Sequence, residues 1–201
     1  ITVREGDELL DAIMTNGQSE ILLAGRHGRC CRFDEKDARA LGRTASGVRG
    51  INIDDDDEVI GMIAYDPTAE DAQAHSLLVV SEHGYGKRSD FDEYRKTNRG
   101  GKGVKTLNIT EKTGELVAMK NVTDENDLMI INRSGLTIRM AVADIKVAGR
   151  ATQGVRLINI KDGDSIAAIS AVNKTEEDVP QQPVEGAAED QASEPQNQIN
   201  E

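Results

Sequence analysis

The fold is decided by a segment that recurs, first as Glu20-Ile-Leu-Leu-Ala-Gly-Arg-His-Gly28 with Gly47-Val-Arg-Gly-Ile-Asn-Ile53 farther along. The second copy reads Ser76-Leu-Leu-Val-Val-Ser-Glu-His-Gly84, then Gly103-Val-Lys-Thr-Leu-Asn-Ile109. The third reads Asp127-Leu-Met-Ile-Ile-Asn-Arg-Ser-Gly135, then Gly154-Val-Arg-Leu-Ile-Asn-Ile160. In every copy the two anchor glycines, Gly28 and Gly47 in the first, lie 19 residues apart. Spacing kept over three copies indicates an internal repeat.

Each copy predicts four short strands. In the first copy, alternation and turn glycines place them at residues 20–24, 29–33, 47–53 and 58–64, with a helical turn at 37–41. Copies begin 56 and then 51 residues apart, and a period near 50 with four strands per unit is typical of a propeller blade. We therefore predict an all-β, propeller-like array in which neighbouring blades bury one another. A β-sandwich, the alternative, does not require this periodic register.

The ends of the chain differ from the repeats. Ile1-Thr-Val3 followed by Gly6 matches the end of the third copy, and the chain opens without Met or a signal region, which predicts a piece of something longer. The last 27 residues hold eight acids, three of the four prolines and no Lys or Arg, which predicts disorder. The predicted parts are the end of a truncated blade, three blades and a disordered acidic tail, at residues 1–18, 19–75, 76–125, 126–174 and 175–201.

Several classes of function are excluded by composition and motifs. No apolar run approaches the roughly 18 residues of a membrane-spanning helix. Cys30 and Cys31 are adjacent, with neither disulfide nor zinc spacing, which fits a reducing cytoplasm. The run at residues 100–103 lacks the spacing of a phosphate loop, and the acids at 54–58 lack that of a calcium loop. We expect no catalytic residue, metal ion or cofactor in this chain.

Positive charge is concentrated at one phase of the repeat. The formal net charge is −12, yet the windows 25–49, 81–105 and 132–156 carry +4, +3 and +4, which leaves −23 for the rest. Stacked blades would bring these cations to one rim, the electrostatic signature of a surface that follows a phosphate backbone. No recognition helix is evident, and five scattered aromatic residues cannot form a stacking platform for single strands. The expected ligand is duplex DNA, bent around the rim.

Eleven cations are the candidate DNA-binding residues. The strand arginines, four residues after the first anchor glycine, are Arg32, Arg88 and Arg139. The turn arginines, four residues before the second anchor glycine, are Arg43, Arg99 and Arg150. The edge cations, two residues after the second anchor glycine, are Arg49, Lys105 and Arg156. Two further lysines within the basic windows are Lys87 and Lys102.

Three runs carry a family resemblance: Gly84-Tyr-Gly-Lys-Arg88, Glu93-Tyr-Arg-Lys-Thr-Asn-Arg-Gly-Gly-Lys-Gly-Val104 and Gly149-Arg-Ala-Thr-Gln-Gly-Val155. Together with the rest of residues 1–174, they resemble the C-terminal DNA-wrapping domain of the bacterial DNA gyrase A family. The segment ending at Gly103 is similar to the family's box, Gln-Arg-Arg-Gly-Gly-Lys-Gly, with Thr97 and Asn98 in place of its first two residues. The resemblance implies a six-bladed β-pinwheel that wraps DNA around a basic edge.

The resemblance also implies partners and a setting. In that family, wrapping lets an ATP-dependent type II topoisomerase introduce negative supercoils. The implied partners are duplex DNA, the N-terminal cleavage core of the same polypeptide, and the gyrase B protein in an A2B2 heterotetramer. ATP and Mg²⁺ are implied for that holoenzyme and not for this chain, and the implied location is the bacterial cytoplasm at the nucleoid. Two alternatives are the corresponding domain of topoisomerase IV and a protein-binding propeller scaffold.

Overall fold

The structure is a computed structural model that describes residues 1–161 and 163–174. The acidic tail that the sequence predicts at 175–201 lies outside these residues. Within them the chain is all-β, and its helical segments are 3-10 turns of three residues, at Glu35–Asp37, Ala72–Ala74, Phe91–Glu93 and Val142–Asp144. No helix of the described part is long and apolar enough to cross a membrane.

The strands of the described residues form three antiparallel sheets. In chain order they are β1 (Glu20–Gly25), β2 (Arg29–Asp34), β3 (Val59–Tyr65), β4 (Ser76–Ser81), β5 (Tyr85–Ser89), β6 (Val104–Lys105), β7 (Leu116–Val122), β8 (Asn126–Asn132), β9 (Thr137–Ala141), β10 (Val155–Arg156) and β11 (Ile166–Asn173). Sheet 1 has the order β3-β1-β2-β6, sheet 2 the order β10-β5-β4-β7 and sheet 3 the order β11-β8-β9. The predicted all-β, propeller-like class is confirmed.

The fourth strand of sheets 1 and 2 comes from the next copy. β6 belongs to the second copy but pairs with β2, with Cys30 opposite Val104. β10 belongs to the third copy but pairs with β5, with Gly86 opposite Val155. The prediction of four strands from one continuous copy is therefore wrong, because alternation identifies a strand and not its partner. In the first copy, the predicted strand at 47–53 forms only an isolated bridge between Ile51 and the second copy.

Turn chemistry also moved one predicted element. The helical turn expected at 37–41 lies instead at Glu35–Asp37. Asp34 precedes it with extended backbone, and its side chain accepts a hydrogen bond from the Lys36 N–H. Asp is a favoured residue at this position because its carboxylate satisfies an N–H that the turn leaves unpaired.

The second anchor glycine lets the donated strand approach the preceding sheet. Gly103 and Gly154 have φ of +69° and +75°, in the left-handed region where a side chain is strained. A Cβ on Gly103 would overlap the carbonyl oxygen of Cys30 on β2, and a Cβ on Gly154 that of Gly86 on β5. Gly47 has the same backbone, with φ of +84°, but no described atom lies within 4 Å of its Cβ position. The glycine therefore serves both the turn and the contact between copies.

Neighbouring blades share their cores, as the repeat predicts. β4 is buried on both faces, since each face meets a different blade. Leu77 and Val79 belong to a hydrophobic cluster that includes residues of β1 and β3. Leu78 and Val80 belong to a second cluster that includes residues of β8. One blade could not bury both sets, so the repeats depend on stacking.

Substituting the anchor glycines with alanine tests the contact between copies. Gly103→Ala should destabilise the chain by about 3 kcal/mol or more, because strain at positive φ adds to overlap with the Cys30 carbonyl. Gly47→Ala, the matched control, should cost about 1 kcal/mol, from positive φ alone. Urea unfolding followed by circular dichroism measures both. Equal losses would show that the close approach contributes nothing.

Candidate nucleic-acid interface

Arg32 lies in the interior rather than on a rim. Arg32 lies on β2 and is only 8 % exposed. Its Nε donates to the Glu20 carboxylate. Its Nη1 donates to the carbonyl oxygens of Phe91 and Tyr94 in the second copy, the latter at 3.0 Å. The ring of Tyr65 lies 5.6 Å from the guanidinium carbon. Arg32 therefore joins two copies, and the prediction that it sits on the exposed rim is corrected.

Arg88 repeats this arrangement one blade on. It is 7 % exposed, and its Nε donates to the Ile145 carbonyl at 2.9 Å. Ile145 stands in the third copy where Tyr94 stands in the second, ten residues after the first anchor glycine. The Arg88 Nη1 donates to the Asp124 carboxylate. The predicted rim position of Arg88 is corrected in the same way, because its donors are satisfied between blades.

The third strand arginine and Lys87 are also engaged within the fold. Arg139 is more exposed than its counterparts, yet its Nε donates to the Asp127 carboxylate at 2.7 Å. Asp127 occupies the repeat position of Glu20. Lys87, predicted to contact DNA, is buried, and its Nζ donates to the Gly149 carbonyl at 2.6 Å. Burial lowers the pKa of Lys87 to about 8, and its place on the rim is corrected.

Two of the turn arginines are half-buried and bind the preceding copy. Arg99 Nη1 donates to the Arg49 carbonyl at 3.1 Å, and its Nε to the Asp37 carbonyl at 2.8 Å. Arg150 Nη1 donates to the Lys105 carbonyl at 2.9 Å. Each of these two turn arginines thus lies directly beside the edge cation of the copy before it. The remaining turn arginine, at position 43, is exposed.

All three edge cations are exposed and held in one way. Each donates to the side-chain oxygen of the asparagine three residues later, at 3.3, 3.2 and 3.1 Å, in the pairs Arg49–Asn52, Lys105–Asn108 and Arg156–Asn159. An amide oxygen orients a cation without neutralising its charge. These side chains therefore keep their positive charge available to an anion from solution.

A groove connects the cations of the first two copies. It encloses about 540 Å³ and is lined by Arg29, Arg95, Arg99 and Lys102, among others. Arg29 lies opposite Lys105 across the β2–β6 pair. Its Nε and Nη2 donate to the carbonyl oxygens of residues 102 and 103, both at 2.9 Å. The connection between blades therefore brings cations of successive copies side by side.

Eight cations form what we call the cationic belt. They are exposed or half-buried, and seven of them lie at the junctions between copies, whereas Arg43 is included for its repeat position. The belt consists of Arg29, Arg43, Arg49, Arg99, Lys102, Lys105, Arg150 and Arg156. Seven of the eleven predicted site residues are in it, and Arg29 is added by the structure.

Arg156 has an aromatic partner that the others lack within the described residues. Its Nε and Nη2 donate to the Tyr85 hydroxyl at 3.2 and 2.8 Å, and its guanidinium carbon lies 5.3 Å from the ring centre. The hydrogen bond from Arg156 lowers the pKa of Tyr85. Tyr85 occupies the repeat position of Arg29, opposite an edge cation.

Sequence reasoning missed Arg29, Tyr85 and the three asparagines. The asparagines had a signal, since the run Gly-Val-basic-x-apolar-Asn-Ile is present in every copy. Arg29 and Tyr85 had none, because they differ between copies and acquire their neighbours through strand exchange. A cation in one copy and an aromatic ring at the same position of the next do not form a sequence pattern that repeats.

The described part of the chain contains no group of three or more His, Cys, Asp or Glu side chains placed to hold a metal ion. Cys30 and Cys31 are free and buried, and desolvation raises the pKa of the Cys30 thiol. A raised pKa keeps a thiol protonated and unreactive.

Exchanged strands, shared cores and a recurring row of cations define a propeller-like domain with a charged edge. The chain belongs to the family described as "DNA gyrase C-terminal domain, beta-propeller", whose model matches residues 19–66, 75–123 and 126–173. It is 46 % identical over 178 residues to the DNA gyrase A protein of Staphylococcus aureus strain NCTC 8325 / PS 47, and 44 % identical over 177 residues to that of Staphylococcus epidermidis. These alignments cover 89 % and 88 % of this chain but only 20 % and 19 % of the relatives.

Solved structures support the same fold. A crystal structure of the C-terminal domain of DNA topoisomerase IV superposes with a TM-score of 0.78 at 20 % identity, covering 86 % of this chain and 52 % of that one. A DNA gyrase A C-terminal domain superposes with a TM-score of 0.68 at 21 % identity, covering 77 % and 50 %. At these identities the likeness establishes architecture alone.

Replacing Arg32 tests its role between copies. Arg32→Met keeps most of the side-chain length but removes the guanidinium from the buried Glu20 carboxylate, which is left with the half-exposed Lys96 at 3.1 Å as its charged partner. We expect a loss of about 2–4 kcal/mol in the free energy of unfolding. The matched control is Arg139→Met, at the same repeat position but more exposed, where about 1 kcal/mol or less is expected. Urea unfolding measures both variants, and similar losses would refute the assignment of Arg32 to the interior.

Proposed function

We propose that this chain is a DNA-wrapping module of a gyrase-type topoisomerase, holding duplex DNA by its phosphates along the cationic belt. The observation that carries the proposal is the placement of the belt at the junctions between copies. There, Arg99 lies beside Arg49, and Arg150 beside Lys105. Cations brought together at successive junctions are suited to bind the phosphates that recur along a duplex backbone.

The proposed recognition is independent of base sequence. The described helices are three-residue 3-10 turns, so none could enter a major groove as a recognition helix. Arginine and lysine side chains at a surface edge suit phosphate contacts, which position DNA without reading it. Bending a duplex of 20–30 base pairs costs about 1–6 kcal/mol by elastic estimates. Several blades contributing contacts together would offset that cost.

The relatives support a proposal for the role in a larger protein. The chain spans about a fifth of the length of the gyrase A proteins that it matches. We propose that the remainder includes a cleavage core and that the gyrase B protein joins it in an A2B2 assembly. ATP and Mg²⁺ would serve those other parts. Wrapped DNA would present one segment to the core with a fixed crossing, so that strand passage introduces negative supercoils in a bacterial cytoplasm.

Neutralising the edge cations tests phosphate binding. We expect the triple variant Arg49→Gln, Lys105→Gln, Arg156→Gln to bind linear duplex DNA more weakly, whatever its base sequence. The slope of log K against log salt should fall by about 0.9 for each lost phosphate contact, because fewer counterions are released. Fluorescence anisotropy over a salt series measures both quantities.

The control for this experiment is Lys120→Gln. Lys120 is exposed on β7, at the opposite edge of sheet 2 from β10. Removing its charge should leave the slope of log K against log salt unchanged. Binding by the unmodified chain that shows no salt dependence would end the proposal. A gel shift that detects no duplex binding would favour the protein-binding scaffold instead.

Closing DNA circles on the protein tests wrapping apart from binding. Nicked plasmid sealed by ligase in the presence of the chain should show a shift of linking number of one sign after the protein is removed. The triple edge-cation variant should shift it less at equal occupancy, because fewer contacts oppose the stiffness of the duplex. Agarose gels with an intercalating dye measure the shift. Salt-dependent binding without any shift would reduce the function to linear DNA binding.

A further inference from the structure

We infer that Asn52, Asn108 and Asn159 are positioning residues, which hold the edge cations in the direction from which they meet DNA phosphates. This inference rests on the proposed function. It concerns residues that carry no charge and belong to none of the three cation sets. Their role would be to act through the cation and not to replace it.

The first support is the geometry, which is the same in all three copies. The asparagine Oδ1 accepts from the cation at 3.1–3.3 Å, across three residues of chain. Arginine and lysine side chains have many rotamers, and ordering them on binding lowers affinity. A hydrogen bond present before DNA arrives removes part of that cost. The interaction is made whether the cation is arginine or lysine.

The second support is that the asparagine is itself fixed to the next copy. The Asn52 N–H donates to the Gly101 carbonyl at 2.9 Å, and the Asn108 N–H to the Thr152 carbonyl at 3.1 Å. In these two copies, the carbonyl of the edge cation accepts from a turn arginine of that same next copy. The backbone of each of these two cations is thus bonded to the neighbouring blade, and so is the asparagine that holds its side chain. The spacing between successive cations is set by the joint between copies.

The third support is the chemistry of the acceptor. A carboxylate at this position would bind the cation more strongly but would compete with phosphate for it. An amide oxygen orients the cation and leaves the net charge of the pair at +1. Asparagine is the short neutral side chain that has this acceptor.

The copies are not equivalent, and the difference gives an internal comparison. Arg156 has a second anchor, because Tyr85 accepts from its Nε and Nη2. Removing Asn159 would therefore leave Arg156 largely in place. Arg49 and Lys105 have no such aromatic partner among the described residues, so Asn52 and Asn108 should matter more.

Alanine and aspartate substitutions test the inference in the chain of 201 residues, with linear duplex DNA as the probe. We expect Asn52→Ala and Asn108→Ala each to weaken binding roughly two- to five-fold, and Asn159→Ala less than about two-fold. The salt slope should stay unchanged, because every cation remains. Asn52→Asp should weaken binding further and also lower the slope, since its carboxylate pairs with Arg49. The control is Asn173→Ala, which removes a hydrogen bond to Asn126 on sheet 3.

A double-mutant cycle separates positioning from a merely structural role. If Asn52 acts through Arg49, then Asn52→Ala should have no further effect on affinity in an Arg49→Gln background. Additive losses, or a fall in thermal midpoint that accounts for the weaker binding, would overturn the inference. So would alanine variants that bind as tightly as the unmodified chain. If the unmodified chain itself shows no salt-dependent binding, the proposed function has failed, and this outcome is distinct from the others.

Discussion

The structure depends on the donation of a two-residue strand from one copy to the sheet of the copy before it. β6 completes sheet 1 and β10 completes sheet 2, each through a glycine that lies against a carbonyl oxygen of the receiving strand. Neither of these sheets is therefore made by one continuous segment. Because the donated strand ends at an edge cation, the pairing that builds the fold also sets where that cation lies. The pairing of the donated strand therefore determines both the fold and the position of the surface cations.

The same repeat places arginine in two opposite environments. Arg32 and Arg88 are buried between blades, where carbonyl oxygens and a carboxylate satisfy their donors. A buried cation of this kind contributes mainly once its partners are in place, since desolvation opposes it. The edge cations instead remain in water. Each of these repeats thus contains one cation buried between blades and another exposed at the surface.

The sequence predicted the repeats, the all-β class and most strands, because anchor glycines and alternating apolar residues are local signals. It could not predict strand exchange, since β6 has the same pattern whichever sheet it joins. It also treated Arg32 and Arg49 alike, although one signal separates them. Arg32 lies within Cys30-Cys-Arg-Phe33, where apolar neighbours indicate a buried strand, whereas Arg49 lies between Gly47-Val48 and Gly50. The context of a cation was more informative than its period.

A chain with net charge −12 is an unusual partner for DNA, and screening reconciles this charge with the proposed binding. At physiological ionic strength the Debye length is about 8 Å, so a phosphate on the belt responds chiefly to charges a few ångströms away. The acids that outweigh the cations act on it only where they are close, as Asp54 is to Lys102 at 3.7 Å. At low salt their field reaches farther and opposes approach from other directions. Net charge would therefore disfavour binding elsewhere on the surface, while the belt would determine where the proposed duplex is held.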